Sequence, residues 1–177
     1  MSKTILITGA TSGFGEAMAH VFAAAGNKLI ITGRKESLLS GLQETLVAKH
    51  NASVHTLCFD VQNKEAVFAA INTIPDAFKN IDVLINNAGL ALGRDAFQDA
   101  NLDDWETMID TNVKGLLYVS KAVLPLLIQN KKAHIINIGS TAGVEVYKEG
   151  NVYCASKHAV AAISKSMRID LLPHHIK

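Results

Sequence analysis

Short apolar runs punctuate this chain, each closed by glycine, asparagine or proline, and longer stretches of helix-forming residues separate them. The first run, Thr4-Ile5-Leu6-Ile7, is β-branched and ends at Thr8-Gly9, which predicts a strand buried on both faces. A helix is predicted from Glu16 to Ala25, stopped by Gly26-Asn27. Lys28–Thr32 reads as the second strand, and an amphipathic helix follows from about Glu36 to His50. Further strands are predicted at Ser53–Phe59, Ile81–Ile85 and Ala133–Gly139. Asn63 caps a helix that runs to about Ile74 and stops at Pro75. A long helical stretch from Leu102 to about Asn130 is interrupted at Pro125. It has an acidic start (Asp103, Asp104, Glu106) and a basic end (Lys131, Lys132), as the helix dipole prefers. The last helix begins near Gly150-Asn151 and runs to about Leu172.

Strands alternating with helices, without repeats or a linker, predict an α/β fold: a Rossmann-like, doubly wound parallel sheet with helices on both faces. Residues 1–177 read as a single dinucleotide-binding and catalytic domain.

Composition narrows the picture by exclusion. The 177 residues are 49% hydrophobic and 19% charged with a net charge of +1, and no basic run exceeds a pair, so no footprint for nucleic acid is expected. Cys58 and Cys154 are too few for a disulfide framework and lack metal-ligand spacing, so no metal is expected and a reducing, cytoplasmic setting is. Met1-Ser2-Lys3 leads straight into the first strand without the pattern of a signal peptide, and no run is read as long enough to span a membrane.

Candidate chemistry begins at Thr8-Gly9-Ala10-Thr11-Ser12-Gly13-Phe14-Gly15, between the first strand and the first helix. Glycines there let backbone approach a ligand, and the helix start offers free N–H groups to a pyrophosphate. Gly9, Thr11, Ser12, Gly13, Phe14 and Gly15 are the cofactor-binding candidates of this turn. The second strand ends at Arg34 with no acid before Glu36, which favours NADP over NAD because a 2′-phosphate needs a cation. Asp60-Val61 and Asn86-Asn87-Ala88-Gly89 close the third and fourth strands, where ligands of such sheets lie. Tyr153 and Lys157, four apart, share a helix face, and an ammonium beside a phenol stabilises the phenolate. Ser140 ends the strand that feeds that helix. The histidines His20, His50, His55 and His134 have no matched partners in sequence and are read as structural.

These residues, with Asn112, together resemble the short-chain dehydrogenase/reductase family in its compact form, over nearly the whole chain. The resemblance implies that Tyr153 is the general acid of carbonyl reduction or the base of alcohol oxidation. Lys157 would then hold the nicotinamide ribose and favour the phenolate, and Ser140 would hydrogen-bond the substrate oxygen. It further implies that Asn112 positions a water through its helix backbone, and that Asn87, Ala88 and Gly89 line the cofactor ribose region beside Asp60 and Val61. The expected activity is an NADP-dependent interconversion of an alcohol and a carbonyl, with a small substrate such as a 3-hydroxy acid, serine included. An acyl-carrier ketoreductase and a non-catalytic dinucleotide-binding protein are the alternatives. A homodimer or homotetramer is expected. Family members continue into further strands and a small substrate lobe, so the chain is expected to be C-terminally incomplete, its fifth strand forming an exposed edge.

Overall fold

The apolar runs form strands because each is short, rich in β-branched residues and bounded by turn formers. In the computed structural model, which describes residues 2–130 and 132–177, β1 (Thr4–Ile7), β2 (Lys28–Gly33), β3 (Val54–Cys58), β4 (Val83–Asn86) and β5 (His134–Asn137) make one parallel sheet. Its order is β3-β2-β1-β4-β5. The chain winds outward from β1 to β3, crosses back to β4 and continues to β5. The direction therefore reverses between β1 and β4, and a crevice opens at their carboxyl ends.

Alternate residues of each strand point to opposite faces, so both faces need apolar side chains. On one face Ile5, Ile7, Leu29 and Ile31 pack against α1 (Gly13–Ala24) and α2 (Glu36–His50) through Ala19, Ala23, Leu39 and Leu46. On the other, Leu6, Ile30 and Leu84 meet Val67 and Ile71 of α3 (Lys64–Asn72) and Val119 and Val123 of α5 (Leu116–Gln129). Each fully buried side chain of this kind contributes about 1.5–3 kcal/mol. The doubly wound fold expected from the sequence is the fold observed.

Several local expectations need correction. The helix expected at Glu16 starts at Gly13, so the glycine turn runs into the first turn of α1. The helix after Asn101 is not interrupted at Pro125. α4 (Leu102–Ile109) passes through a π-helical segment, Asp110–Gly115, into α5, and Pro125 lies inside that helix. Proline removes one N–H and leaves the carbonyl four residues earlier unpaired. Here both Lys121 and Pro125 are exposed, and water can serve that carbonyl. The continuous stretch Leu102–Gln129 is, by length and composition, long and apolar enough to cross a membrane, contrary to expectation. Its Met108, Leu116, Val119, Val123 and Leu127 are nevertheless buried within the fold. Of the basic pair expected after it, Lys131 lies outside the described residues.

Two partners not foreseen in the sequence also appear. His20 Nδ1 of α1 lies 3.4 Å from His50 Nε2 at the end of α2. The outer edge of β5 is paired at its beginning: Ile176 bridges Ala133 in parallel, and the Ile135 N–H donates to the Lys177 carbonyl at 2.8 Å. Beyond β5, the turn Thr141–Gly143 leads to α6 (Asn151–Asp170), which packs beside the π-helical segment.

Candidate active site

At the switch point the loops after β1 and β4 are stitched together. The Thr8 hydroxyl accepts from the Asn87 and Ala88 N–H groups, both at 3.0 Å. The Asn87 amide donates to the Thr8 carbonyl at 2.9 Å and the Gly9 carbonyl at 3.0 Å. This close approach explains the glycines. Gly9 has φ +62°, and a Cβ there would sit 2.9 Å from Ala88 Cα; one on Gly15 would lie 2.2 Å from the Gly9 carbonyl oxygen. Ser12 caps α1 with extended backbone and no side-chain hydrogen bond, which leaves first-turn N–H groups without an internal acceptor.

Those groups face a cavity of about 470 Å³ along the carboxyl ends of the strands. Gly9, Thr11, Ser12, Gly13 and Phe14 line one end, with Arg34, Asp60 and Val61 beside them; Asn87, Ala88 and Gly89 line the middle, and Tyr153 and Lys157 the far end. The residues fit a dinucleotide: glycine turn, open helix N-terminus and a cation share one elongated cavity. Phe14 is 78% exposed, so its ring forms part of the cavity rim and not of the core. Arg34 and Asp60 face each other as an ion pair at 3.6 Å, both well exposed.

Gly15, Ser140 and Asn112 are not part of this lining. Gly15 serves the site by letting α1 pack against Gly9. The Ser140 hydroxyl accepts from the Ala142 N–H at 3.2 Å, which leaves its own proton free to donate. The Asn112 side chain is buried and fully engaged. Its oxygen accepts from the Leu90 N–H at 2.8 Å, and its amide donates to the Leu90 carbonyl at 2.8 Å and to Ser156 Oγ at 3.1 Å. It thereby ties the loop after β4 to α6.

Lys157 is 8% exposed, and its ammonium donates to the Ile138 carbonyl at 2.9 Å and lies 6.0 Å from the centre of the Tyr153 ring. Burial pushes the lysine below its ordinary value. The Ile138 carbonyl was not foreseeable as a contributor, since a backbone acceptor has no side-chain signature. Thr8 carried a weak signal as the polar residue opening the glycine turn. Leu90 and Thr111 also line the cavity with no sign of it in the sequence.

Comparison with known proteins identifies the family. A family model described as short chain dehydrogenase matches residues 3–177. An NADP-dependent 3-hydroxy acid dehydrogenase of Salmonella typhi is 47% identical over 94% of this chain. Sulfoacetaldehyde reductase 2 of Chromohalobacter salexigens is 49% identical over 97% of it, and 68% of that protein is covered. The closed form of a serine dehydrogenase complexed with NADP+ superposes with a TM-score of 0.88 at 46% identity, over 95% of this chain and 66% of that one. The chain spans 66% of the length of the Salmonella relative. With a matching fold and a family model covering almost every position, the chain belongs to the short chain dehydrogenase family.

Proposed function

We propose that this protein is an NADP-dependent oxidoreductase that interconverts a small alcohol and its carbonyl, with a 3-hydroxy acid or a related anionic aldehyde as substrate. The observation that carries this reading is that Tyr153 and Lys157 line the same cavity as the glycine turn. The relatives named for NADP-dependent 3-hydroxy acid oxidation and sulfoacetaldehyde reduction support the cofactor and the substrate class.

When bound, the nicotinamide supplies or accepts the hydride. In reduction, the Tyr153 hydroxyl gives its proton to the carbonyl oxygen, and in oxidation its phenolate takes the proton back. The Lys157 ammonium, held by the Ile138 carbonyl, stabilises that phenolate and the ribose hydroxyls. Ser140 donates its free proton to the same substrate oxygen. Because the Asn112 side chain is committed to Leu90 and Ser156, we assign its part in proton relay to the backbone carbonyl, in the widened turn at Asp110–Gly115. Arg34, which pairs with Asp60, would hold the 2′-phosphate of the bound cofactor, and Asp60 and Val61 would hold its adenine. Asn87, Ala88 and Gly89, which line the middle of the cavity, would border the nicotinamide ribose. We take the working form to be a cytoplasmic homodimer or homotetramer.

Spectrophotometric oxidation of NADPH with small aldehydes and 3-oxo acids tests the mechanism. Tyr153→Phe is expected to lower kcat by about 10²–10⁴ while NADPH still binds. Equal rates in both proteins would remove the proposed acid. Arg34→Ala is expected to weaken NADP binding by roughly 10–100-fold, the loss of one charge-assisted contact, with NAD little affected. An unchanged NADP-to-NAD ratio would refute the role given to Arg34.

A further inference from the structure

Helix α6 carries both Tyr153 and Lys157, and its Lys157, Ser164 and Met167 fall on the one face that meets β5. Packing between the two elements is incomplete. A cavity parts them, lined by Ile135 and Asn137 of the strand and by Ser164, Met167 and Leu171 on the helix side. Two hydrogen bonds cross from consecutive residues at the carboxyl end of the strand. The Ile138 carbonyl accepts from Lys157 Nζ at 2.9 Å, and the Asn137 amide donates to Ser164 Oγ at 2.9 Å. Lys157 and Ser164 lie two turns apart, about 10 Å along the helix, so the strand grips α6 at two heights.

Asn137 is itself anchored. Its side-chain oxygen accepts from Asn86 Nδ2 at 2.9 Å, directly across the β4–β5 register, and the same nitrogen donates to Ser120 Oγ of α5 at 2.9 Å. On the other side, Ser164 Oγ donates to the Val160 carbonyl at 2.7 Å. A polar chain of Ser120, Asn86, Asn137 and Ser164 thus runs from α5 through both strands to α6. For stability alone an apolar pair would serve better in the sheet. Asn86 is 4% exposed and its Oδ1 has no partner among the described residues, a desolvation cost that a valine or leucine avoids. What the chain adds is direction: a hydrogen bond confines its partners to a narrow range of distance and angle, whereas apolar contacts beside a cavity let a helix slide or roll.

We propose that Asn137 and Ser164 are positioning residues for the reaction, whose hydrogen bond fixes the height and rotation of α6 so that Lys157 meets the Ile138 carbonyl and Tyr153 stands at the cavity. This rests on the oxidoreductase reading given above. A slip of α6 by one residue, about 1.5 Å, would break the Lys157 bond and move the Tyr153 hydroxyl relative to Ser140, and a misplacement of that size costs up to about 10²-fold in rate. A released ammonium would swing into the open cavity, where water screens its charge from the phenol.

Steady-state oxidation of 3-hydroxypropanoate with NADP tests this, with kcat counted per NADPH site from a fluorescence titration. Alanine is a better helix former than serine, so Ser164→Ala should melt close to wild type. Its kcat per site should nonetheless fall about three- to tenfold, with the KM for NADP little changed. Asn137→Leu should lose about tenfold or more, and adding Ser164→Ala to it should cost nothing further, since both remove one interaction. Ser164→Thr keeps the acceptor oxygen, its methyl has room in the cavity, and it should retain more activity than Ser164→Ala. The pH midpoint of kcat for oxidation should move up by about 0.5 in Ser164→Ala and Asn137→Leu, whereas a loss of folded protein scales kcat alike at every pH. Unchanged kcat and midpoint in Ser164→Ala, or losses that multiply in the double variant, overturn the proposal. The phenolate absorbance that Tyr153→Phe abolishes gives the comparison without turnover. That band should appear at higher pH in Ser164→Ala than in wild type, and identical titrations overturn the proposal. If wild type oxidises no hydroxy acid while the band still shifts, the oxidoreductase reading fails and the positioning role stands.

Discussion

The two sides of the switch point are built differently. On the side that cradles the glycine turn, β1 and β2 are buried along nearly their whole length and covered by α1 and α2. On the other side, every residue of β5 stays partly or fully exposed, and the strand's outer edge is paired only near its start, by Ile176 and Lys177. A cavity of about 310 Å³ lies along that edge, lined by Ile135, Asn137, Met167 and Leu171. The glycine-turn end of the cavity therefore rests on close-packed core. The end with Tyr153 and Lys157 rests on side-chain ties such as Asn112 to Leu90 and Asn137 to Ser164. Rigidity at the first end comes from burial, and at the second from hydrogen bonds.

Matched substitutions on the two sides should break that contrast if it is wrong. Leu84→Ala, in the centre of the sheet, should destabilise by about 2–5 kcal/mol, whereas Ile135→Ala should cost roughly 1–2 kcal/mol because water already reaches that side chain. Urea unfolding of both variants measures the difference, and equal costs would mean that β5 is as well packed as β4. A smaller effect separates two glycines. Gly15→Ala forces a Cβ against the Gly9 carbonyl and should cost about 1–3 kcal/mol, with weakened NADPH binding in a fluorescence titration. Gly139→Ala meets no atom within 4 Å and should stay within about 0.5 kcal/mol of wild type.

The strands and the glycine turn were legible because their signals are local: β-branched runs, and a turn whose backbone must pass close to another loop. Asn63 was legible as a cap for the same reason, and its side chain accepts from the Ala66 N–H at 2.9 Å. Pro125 misled because proline's effect on a helix depends on exposure, which the sequence does not carry. The π-helical segment at Asp110–Gly115 has no composition of its own, so Asn112 could be read only by resemblance. Its side-chain partners, Leu90 and Ser156, are separated from it by 22 and 44 residues and are products of the tertiary fold. Tyr153 and Lys157 could be paired by helical spacing alone. That they share a cavity with the glycine turn depends on the order of the sheet.

The smallest expected effect concerns the charge on Lys157. Burial lowers its pKa in the folded protein, whereas in the unfolded chain the amine keeps its ordinary value of 10.5. Between those two values the unfolded state binds more protons, so stability rises with pH across that window. At neutral pH the ammonium is charged in both states, and the fold bears the cost of its desolvation. Lys157→Met removes the charge and keeps the volume. The Ile138 carbonyl loses its donor, but Ile138 lines the open cavity, where water can replace it. The variant should therefore be inactive yet more stable than wild type at pH 7. A gain on the order of 1 kcal/mol would appear as about 2–4 °C in Tm for a chain of this size. That advantage should shrink as pH rises toward 10.5, because wild-type lysine then sheds its proton on folding. Thermal melts of both proteins across the range measure it. A difference that does not change with pH would show that the buried amine of Lys157 imposes no burden on the fold, and that the two sides of the switch point differ in packing alone.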